Sequence, residues 1–278
     1  MSLYIQALAH YAPPKRLTNA DLEKMVETND EWIVTRTGIR ERAIAESGLG
    51  ASDLAKEASL LALGKAKTLS TELDAIIVAT CTPDTTIPGA SSYLQSHLNA
   101  NNCPAFDINA ACSGFVYGLE VADGLLSTGR YKKILFSCAE LFSSVLNYED
   151  RNTCILFGDA AGSLVLSNES GIAKLIAAYS GGDGNLIELL HRPGGGSKKP
   201  SHKLENENDI FLTMEGKEVF KHAVRGMAKS AEETLARAGW KKEEVNWLIP
   251  HQANMRLIKS AADRLNLDME KVVVNIER

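Results

Sequence analysis

The chain has 278 residues, of which 45% are hydrophobic and 23% charged, and its formal net charge is −5. This composition is typical of a globular protein that buries a large core, and the acidic balance argues against a nucleic-acid-binding surface. The first residues lack the basic segment and apolar core of a secretory signal, and no apolar run is long enough to span a membrane. We therefore expect a cytoplasmic protein with neither a nucleic acid nor a membrane as its partner.

The first half of the chain alternates short and long apolar segments, which predicts alternating strands and helices. Several of the short segments contain almost no polar residues, so we expect their strands to be buried on both faces. The pattern indicates an α/β layered protein. The predicted strands are residues 1–12, 74–80, 105–109, 133–137, 153–157 and 161–166, and the predicted helices include residues 52–67 and 90–98.

Residues 30–42 (DEWIVTRTGIRER) combine one tryptophan with three arginines. Such a charged run is usually a solvated surface. Trp32 beside spaced arginines also fits a nucleotide site, because indole offers a flat face to a base and guanidinium offers a fixed fork of donors to phosphates. Both interpretations stay open on these residues alone.

Five cysteines are spread along the chain without a CxxC pair, which predicts neither a disulfide framework nor a metal site. Cys138 and Cys154 lie in strand-like apolar runs, where a core position is expected. Cys112 differs because small residues surround it and a helical pattern follows it. A thiol at a helix N-terminus is favoured as thiolate, which suits a nucleophile. A small core residue is the alternative role for Cys112.

The second half of the chain repeats the order of elements seen in the first. A helix at residues 224–238, a strand at 245–249, a helix at 255–265 and a strand at 272–276 predict a duplication, with halves at residues 1–170 and 171–278. His251 directly follows one of these strands, at the end where α/β sheets assemble sites. If the halves pack about a pseudo-twofold axis, His251 meets Cys112. The alternative is a histidine that caps its own helix.

Five motifs along the chain resemble those of the beta-ketoacyl-[acyl-carrier-protein] synthase III family. They are DEWIVTRTGIRER at residues 30–42, ACSG at 111–114, FGDAAG at 157–162, MEGKEVF at 214–220 and PHQAN at 250–254. The resemblance covers essentially the whole chain in the same order. It implies the thiolase fold, with two similar halves packed in five α-β-α-β-α layers, and a homodimer.

The resemblance also implies an activity. That family begins bacterial fatty-acid synthesis by condensing an acyl-CoA primer such as acetyl-CoA with malonyl-acyl carrier protein, with release of CO₂ and CoA. Cys112 would take the acyl group as a thioester, and its backbone N–H would stabilise the tetrahedral intermediate. His251 Nε2 would donate a hydrogen bond to the malonyl thioester oxygen. No metal or cofactor is implied, since the CoA thioester is a substrate.

The remaining roles follow from the same resemblance. The CoA-binding residues would be Thr28, Trp32, Arg36, Arg151, Met214, Gly216, Phe220, Ala253 and Asn254. The carrier-protein edge would be Gln252, Ala253, Asn254, Met255 and Arg256. The primer pocket would be formed by Ile87, Leu141, Phe142 and Phe157, with Ile87 reaching across the dimer.

One departure from the family concerns its third catalytic residue. This residue is an asparagine in a Gly-Asn-Thr segment after the strand at 272–276, and it would follow Arg278, together with the closing strands of the fold. We expect that a C-terminal segment is missing from this sequence. A polypeptide that truly stops at Arg278 would condense its substrates far more slowly.

Three alternatives to the condensing enzyme stay open. A secondary-metabolite synthase of the same fold would use a different acyl acceptor. A cysteine hydrolase built on Cys112 and His251 would release free acid from thioesters without condensation. A truncated, non-catalytic form would leave Cys112 unreactive toward thiol-specific alkylators at neutral pH.

Overall fold

The computed structural model describes residues 3–277. Its strands are β1 (Tyr4–Tyr11), β2 (Arg16–Thr18), β3 (Glu41–Ala43), β4 (Ala75–Ala79), β5 (Ala105–Ile108), β6 (Lys133–Leu141), β7 (Asp159–Ser167), β8 (Ala173–Lys174), β9 (Leu190–His191) and β10 (Thr213–Met214). Its α-helices are α1 (Asn19–Leu22), α2 (Asp30–Thr37), α3 (Ala51–Ala66), α4 (Ala90–His97), α5 (Gly114–Ser127), α6 (Arg151–Cys154), α7 (Gly216–Ala238) and α8 (Met255–Leu265). None of these helices is both long and apolar enough to cross a bilayer.

The chain divides into two compact units that are interleaved along the sequence. Unit 1 consists of Met1–Lys15, Ala43–Phe142 and Gly158–Ala178. Unit 2 consists of Arg16–Arg42, Ser143–Phe157 and Tyr179–Arg278. The division into two related halves at residues 1–170 and 171–278 stays a prediction. The compact units have different bounds, because unit 2 also contains Arg16–Arg42 and Ser143–Phe157 from the first half of the chain.

Unit 1 contains a six-stranded mixed sheet in the order β5-β4-β6-β7-β1-β8. Strand β4 runs parallel to β5 and to β6, with Ala79 opposite Ile108 on one side and Cys138 on the other. Strands β7 and β1 continue the sheet in antiparallel fashion. Three parallel strands therefore end at the same edge of the sheet, which confirms the α/β class.

Strand β4 is buried along its whole length, as its unbroken apolar sequence predicts. Val78 packs on one face with Leu54 of α3 and Leu94 of α4. Ile77 packs on the other face with Leu126 of α5. Because burial of each such side chain contributes about 1.5–3 kcal/mol, the two apolar layers are the main stabilising feature of unit 1.

Helix α5 lies unusually close to the sheet. A Cβ atom on Gly118 would overlap the ring of Phe136 in β6, which is fully buried. A glycine is therefore required at this point of α5, and it positions the helix that follows Cys112.

Unit 2 has much less sheet. Leu248 and Val272 form an isolated parallel bridge, with hydrogen bonds from Leu248 N to Lys271 O (2.8 Å) and from Val273 N to Leu248 O (2.9 Å). The strands predicted at residues 245–249 and 272–276 are therefore too long. The structure pairs them at this one bridge. The helix predicted at residues 224–238 lies within the longer α7, and α8 has the predicted bounds.

The strand predicted at residues 153–157 is also wrong. The side chain of Asp150 accepts a hydrogen bond from Asn152 N (2.9 Å) and thereby begins the short helix α6. Cys154 ends that helix and is fully buried, which confirms its expected core position.

Candidate active site

The carboxyl ends of β4, β5 and β6 bring three groups of residues to one edge of unit 1. Thr80 to Thr82 follow β4, Cys112 follows β5, and Glu140 lies near the end of β6. Sites in α/β proteins form at this edge, because the connecting loops there present side chains beyond the rigid strands. Cys112 therefore lies between a strand and a helix, as its sequence predicts, whereas its role as a nucleophile stays a prediction.

The turn before α5 has an unusual backbone. Ala111 adopts φ 44°, in the left-handed region that costs a residue other than glycine about 1–3 kcal/mol. The other left-handed residues that are not glycine lie at helix C-termini, where this conformation is common. A Cβ on Gly114 would lie 3.0 Å from the Cβ of Ala79. The small residues around Cys112 therefore permit a tight turn against β4.

Glu140 organises the loop after β4. Its carboxylate accepts hydrogen bonds from Cys81 N (2.9 Å), Thr82 Oγ1 (2.6 Å) and the Cys81 thiol (3.3 Å). The sequence did not single out Glu140, although its position near the carboxyl end of β6 places it at the edge where α/β proteins form sites.

The electrostatics of this edge oppose ionisation of the thiols. Desolvation raises the pKa of Cys112, the Glu140 carboxylate raises it further, and a backbone hydrogen bond acts against both. Burial also raises the pKa of Cys138, to about 12. Desolvation and the neighbouring carboxylate thus act against the thiolate that a helix N-terminus favours.

A second cluster of predicted residues forms in unit 2. The guanidinium carbons of Arg36 and Arg151 lie 4.5 Å and 4.8 Å from the ring centroid of Trp32. Arg151 also donates a hydrogen bond from Nη1 to Glu27 O (2.7 Å). Nearby in the sequence, the buried hydroxyl oxygen of Thr28 has no hydrogen-bond partner among residues 3–277. The fold thus joins α2 and α6, which are far apart in the sequence, in one aromatic and basic surface.

The other predicted CoA-binding residues also belong to unit 2. Gly216 and Phe220 lie in α7, and Met214 lies in β10. A Cβ added to Gly216 would lie 3.5 Å from the methyl carbon of Met214. Ala253 and Asn254 precede α8, where the Asn254 side chain accepts a hydrogen bond from Arg256 N (2.8 Å).

His251 lies in unit 2, whereas Cys112 lies in unit 1. The His251 residue is accessible to solvent. The protein atoms around its imidazole still displace enough water to lower the pKa of the ring, which favours the neutral form. The next residue, Gln252, hydrogen-bonds through its side chain to backbone groups of Pro250, Val273 and Asn275. The meeting of Cys112 with His251 stays a prediction.

The residues predicted to form the primer pocket differ in their surroundings. Ile87 is 87% exposed on the loop before α4. Leu141 is buried in the core that covers one face of the sheet. Phe142 and Phe157 are both half-buried. Phe142 is the last residue of a unit 1 segment, and Phe157 is the last residue of a unit 2 segment. Their role in primer selection stays a prediction.

Among residues 3–277, no group of three or more His, Cys, Asp and Glu side chains is arranged to hold a metal ion.

Comparison with known proteins gives the family. The model of 3-oxoacyl-[acyl-carrier-protein] synthase III matches residues 106–184, and the model of its C-terminal part matches residues 235–278. The enzyme of that family from Caldanaerobacter subterraneus is 48% identical over 96% of this chain and 81% of its own length. The crystal structure of the Aquifex aeolicus synthase III superposes with a TM-score of 0.90 at 42% identity, covering 99% of this chain and 85% of that one.

A relative from Chlamydia caviae, 44% identical over 99% of this chain and 82% of its own length, carries the same family name. The structural match also confirms the predicted thiolase-type α/β fold. The chain therefore belongs to the beta-ketoacyl-[acyl-carrier-protein] synthase III family and is an acyltransferase of the condensing type.

Proposed function

We propose that the chain catalyses the initiating condensation of bacterial fatty-acid synthesis. An acyl-CoA primer and malonyl-acyl carrier protein would give 3-oxoacyl-acyl carrier protein, CoA and CO₂. Family membership supports the reaction. The observation that carries the mechanism is the position of Cys112, which follows the left-handed Ala111 at the shared carboxyl edge of three parallel strands.

The first half-reaction loads the primer onto Cys112. The sulfur attacks the thioester carbonyl carbon, the new C–S bond forms, and the bond to CoA breaks. Because the pKa of Cys112 is raised, its proton must leave as the sulfur attacks, and the departing CoA thiolate ends with a proton. The Cys112 backbone N–H, at the start of α5, would donate to the developing oxyanion.

The second half-reaction forms the carbon–carbon bond. Loss of CO₂ leaves its bonding electron pair on the malonyl unit as a thioester enolate, and His251 Nε2 would donate a hydrogen bond to the enolate oxygen. The enolate carbon attacks the acyl-Cys112 carbonyl, the C–S bond breaks, and the departing Cys112 thiolate takes a proton from solvent. The lowered pKa of His251 supports this role, since it favours the neutral imidazole at neutral pH.

The surface formed by Trp32, Arg36 and Arg151 would bind the nucleotide end of CoA. Indole and guanidinium faces stack with a purine base, and the guanidinium donors pair with phosphates. The pantetheine arm would then pass Met214, Gly216 and the residues before α8.

The partners belong to the same proposal. The carrier protein is acidic in this family, and Arg256 at the start of α8 is exposed and fits such a partner. The family resemblance implies that Ile87, which is 87% exposed, reaches across a homodimer, and such a contact would cover this side chain. We propose that this cytoplasmic homodimer needs no cofactor.

Incubation with radiolabelled acetyl-CoA tests the assignment. We expect the wild-type protein to become labelled and Cys112→Ser to lose the label. Cys138→Ser, which changes a thiol within β6, is the matched control and should retain it. Equal labelling of C112S and the wild type would refute the nucleophile, and release of free acetate without condensation would indicate a hydrolase.

A further inference from the structure

We infer that Gln252 is a positioning residue whose carboxamide joins the His251 segment to residues 273–275. In the family resemblance this residue belongs to the edge that binds the carrier protein. The inference deepens the proposed function and rests on it, since it gives His251 a support.

The Gln252 carboxamide makes three hydrogen bonds within the chain. Nε2 donates to Pro250 O (3.0 Å) and to Val273 O (3.0 Å). Oε1 accepts from Asn275 N (3.0 Å). A carboxamide offers two donor hydrogens and one acceptor oxygen, so both donors and the acceptor atom of this side chain are engaged.

These bonds continue a strand pairing that the backbone cannot continue. The pairing begins with Leu248 N to Lys271 O and Val273 N to Leu248 O. In a parallel ladder, the next bond would run from the N–H of residue 250 to Val273 O. Residue 250 is proline and has no N–H. The Gln252 amide donates to Val273 O instead.

The following ladder bond is replaced in the same way. It would run from Asn275 N to Pro250 O. The carboxamide lies between these two groups, because Oε1 accepts from Asn275 N while Nε2 donates to Pro250 O. The side chain thus acts as an inserted peptide group across the ladder.

His251 lies between the two residues that this arrangement holds. The carbonyl of Pro250, immediately before His251, and the side chain of Gln252, immediately after it, are both tied to residues 273–275. Removal of the carboxamide would leave the isolated Leu248–Val272 bridge as the pairing nearest to the imidazole. Small displacements of a reacting group reduce rates strongly, so loss of this support should lower turnover.

The test replaces Gln252 with methionine, which has a similar length and cannot form the three bonds. Acylation of Cys112 by acetyl-CoA serves as the measure of an intact unit 1. Condensation is then measured with malonyl-acyl carrier protein and with malonyl-CoA, which lacks the carrier. Amide hydrogen exchange at Asn275 reports on the hydrogen bonds directly.

We expect Q252M to acylate Cys112 normally and to lose about tenfold in kcat or more with both malonyl donors, with KM changed by less than about twofold. Exchange at Asn275 should become about tenfold faster. Asp263→Asn, an exposed change on α8, is the control and should match the wild type in each measurement. A higher KM for the carrier substrate alone, with unchanged malonyl-CoA kinetics, would show that Gln252 contacts the carrier and would overturn the inference.

Gln252→Glu is the second variant, used if Q252M does not fold. It retains the acceptor for Asn275 N but places a carboxylate against two carbonyl oxygens. We expect lower kcat while Asn275 stays protected, and unchanged kcat would refute the inference. A wild-type protein that does not acylate Cys112 would refute the proposed function. Unchanged hydrogen exchange at Asn275 in Q252M would refute the inference about Gln252 and leave the proposed function intact.

Discussion

Unit 1 and unit 2 are stabilised in different ways. In unit 1, strand β4 pairs on both sides and is buried on both faces by apolar side chains. In unit 2, the similar apolar run around Leu248 has a single bridge, and Ile249 is 75% exposed. Polar side chains provide several of the contacts there, such as Gln252 and the buried Arg42. The comparison teaches that an apolar run predicts a strand only where partner strands are present.

The largest expected effect contrasts one side chain from each unit. Phe136→Ala removes a fully buried ring from unit 1 and should lower the free energy of unfolding by about 3–5 kcal/mol. Trp247→Ala removes a side chain that is 63% exposed in unit 2 and should change it by less than about 0.5 kcal/mol. Urea denaturation measures both. Equal destabilisation would contradict the difference between the units.

The next prediction concerns the polar support of unit 2. Arg42 is 3% exposed, and its guanidinium donates to Ile155 O and to Asn19 Oδ1. Burial lowers the pKa of Arg42 to about 10, so the group remains charged at neutral pH. Arg42→Ala should cost about 2–3 kcal/mol, because it leaves buried acceptors unpaired.

Arg42→Lys sharpens this prediction, since it keeps the charge and loses the fork of donors. Thermal unfolding should place R42K between the wild type and R42A. A wild-type melting temperature for R42A would show that these hydrogen bonds do not support unit 2.

The smallest expected effect concerns the charge beside Cys112. Glu140→Gln keeps an acceptor oxygen and removes the negative charge that helps to raise the pKa of Cys112. The pKa should fall, the thiolate fraction at about pH 8 should rise, and iodoacetamide should alkylate Cys112 roughly two- to tenfold faster. Peptide mass spectrometry from about pH 7 to about pH 10 follows the rate, and its rise should move to lower pH.

The control for this prediction is Glu169→Gln, which makes the same charge change on the exposed segment after β7, at the opposite end of the sheet. Alkylation of that variant should proceed at the wild-type rate. Slower alkylation of E140Q than of the wild type would contradict the assigned effect of Glu140.

Much of unit 1 could be predicted from the sequence, because unbroken apolar runs such as Ala75–Ala79 specify buried strands and their ends specify the position of Cys112. The motifs also located Trp32 and His251. The hydrogen bonds of Gln252 and Glu140 could not be predicted, since they depend on which backbone groups the fold leaves unpaired. The raised pKa of Cys112 could not be predicted for a related reason: desolvation depends on neighbours that are distant in the sequence.

The central proposal, which rests on the family resemblance, is that Cys112 and His251 act in the same condensation. Dibromoacetone alkylates a thiol and then a nearby imidazole, so it can join Cys112 to His251 only if they are neighbours. We predict that mass spectrometry of the digested, treated protein finds these two peptides joined, and that acylation by acetyl-CoA beforehand prevents the link. Alkylation of Cys112 without any link to His251 would contradict the proposal.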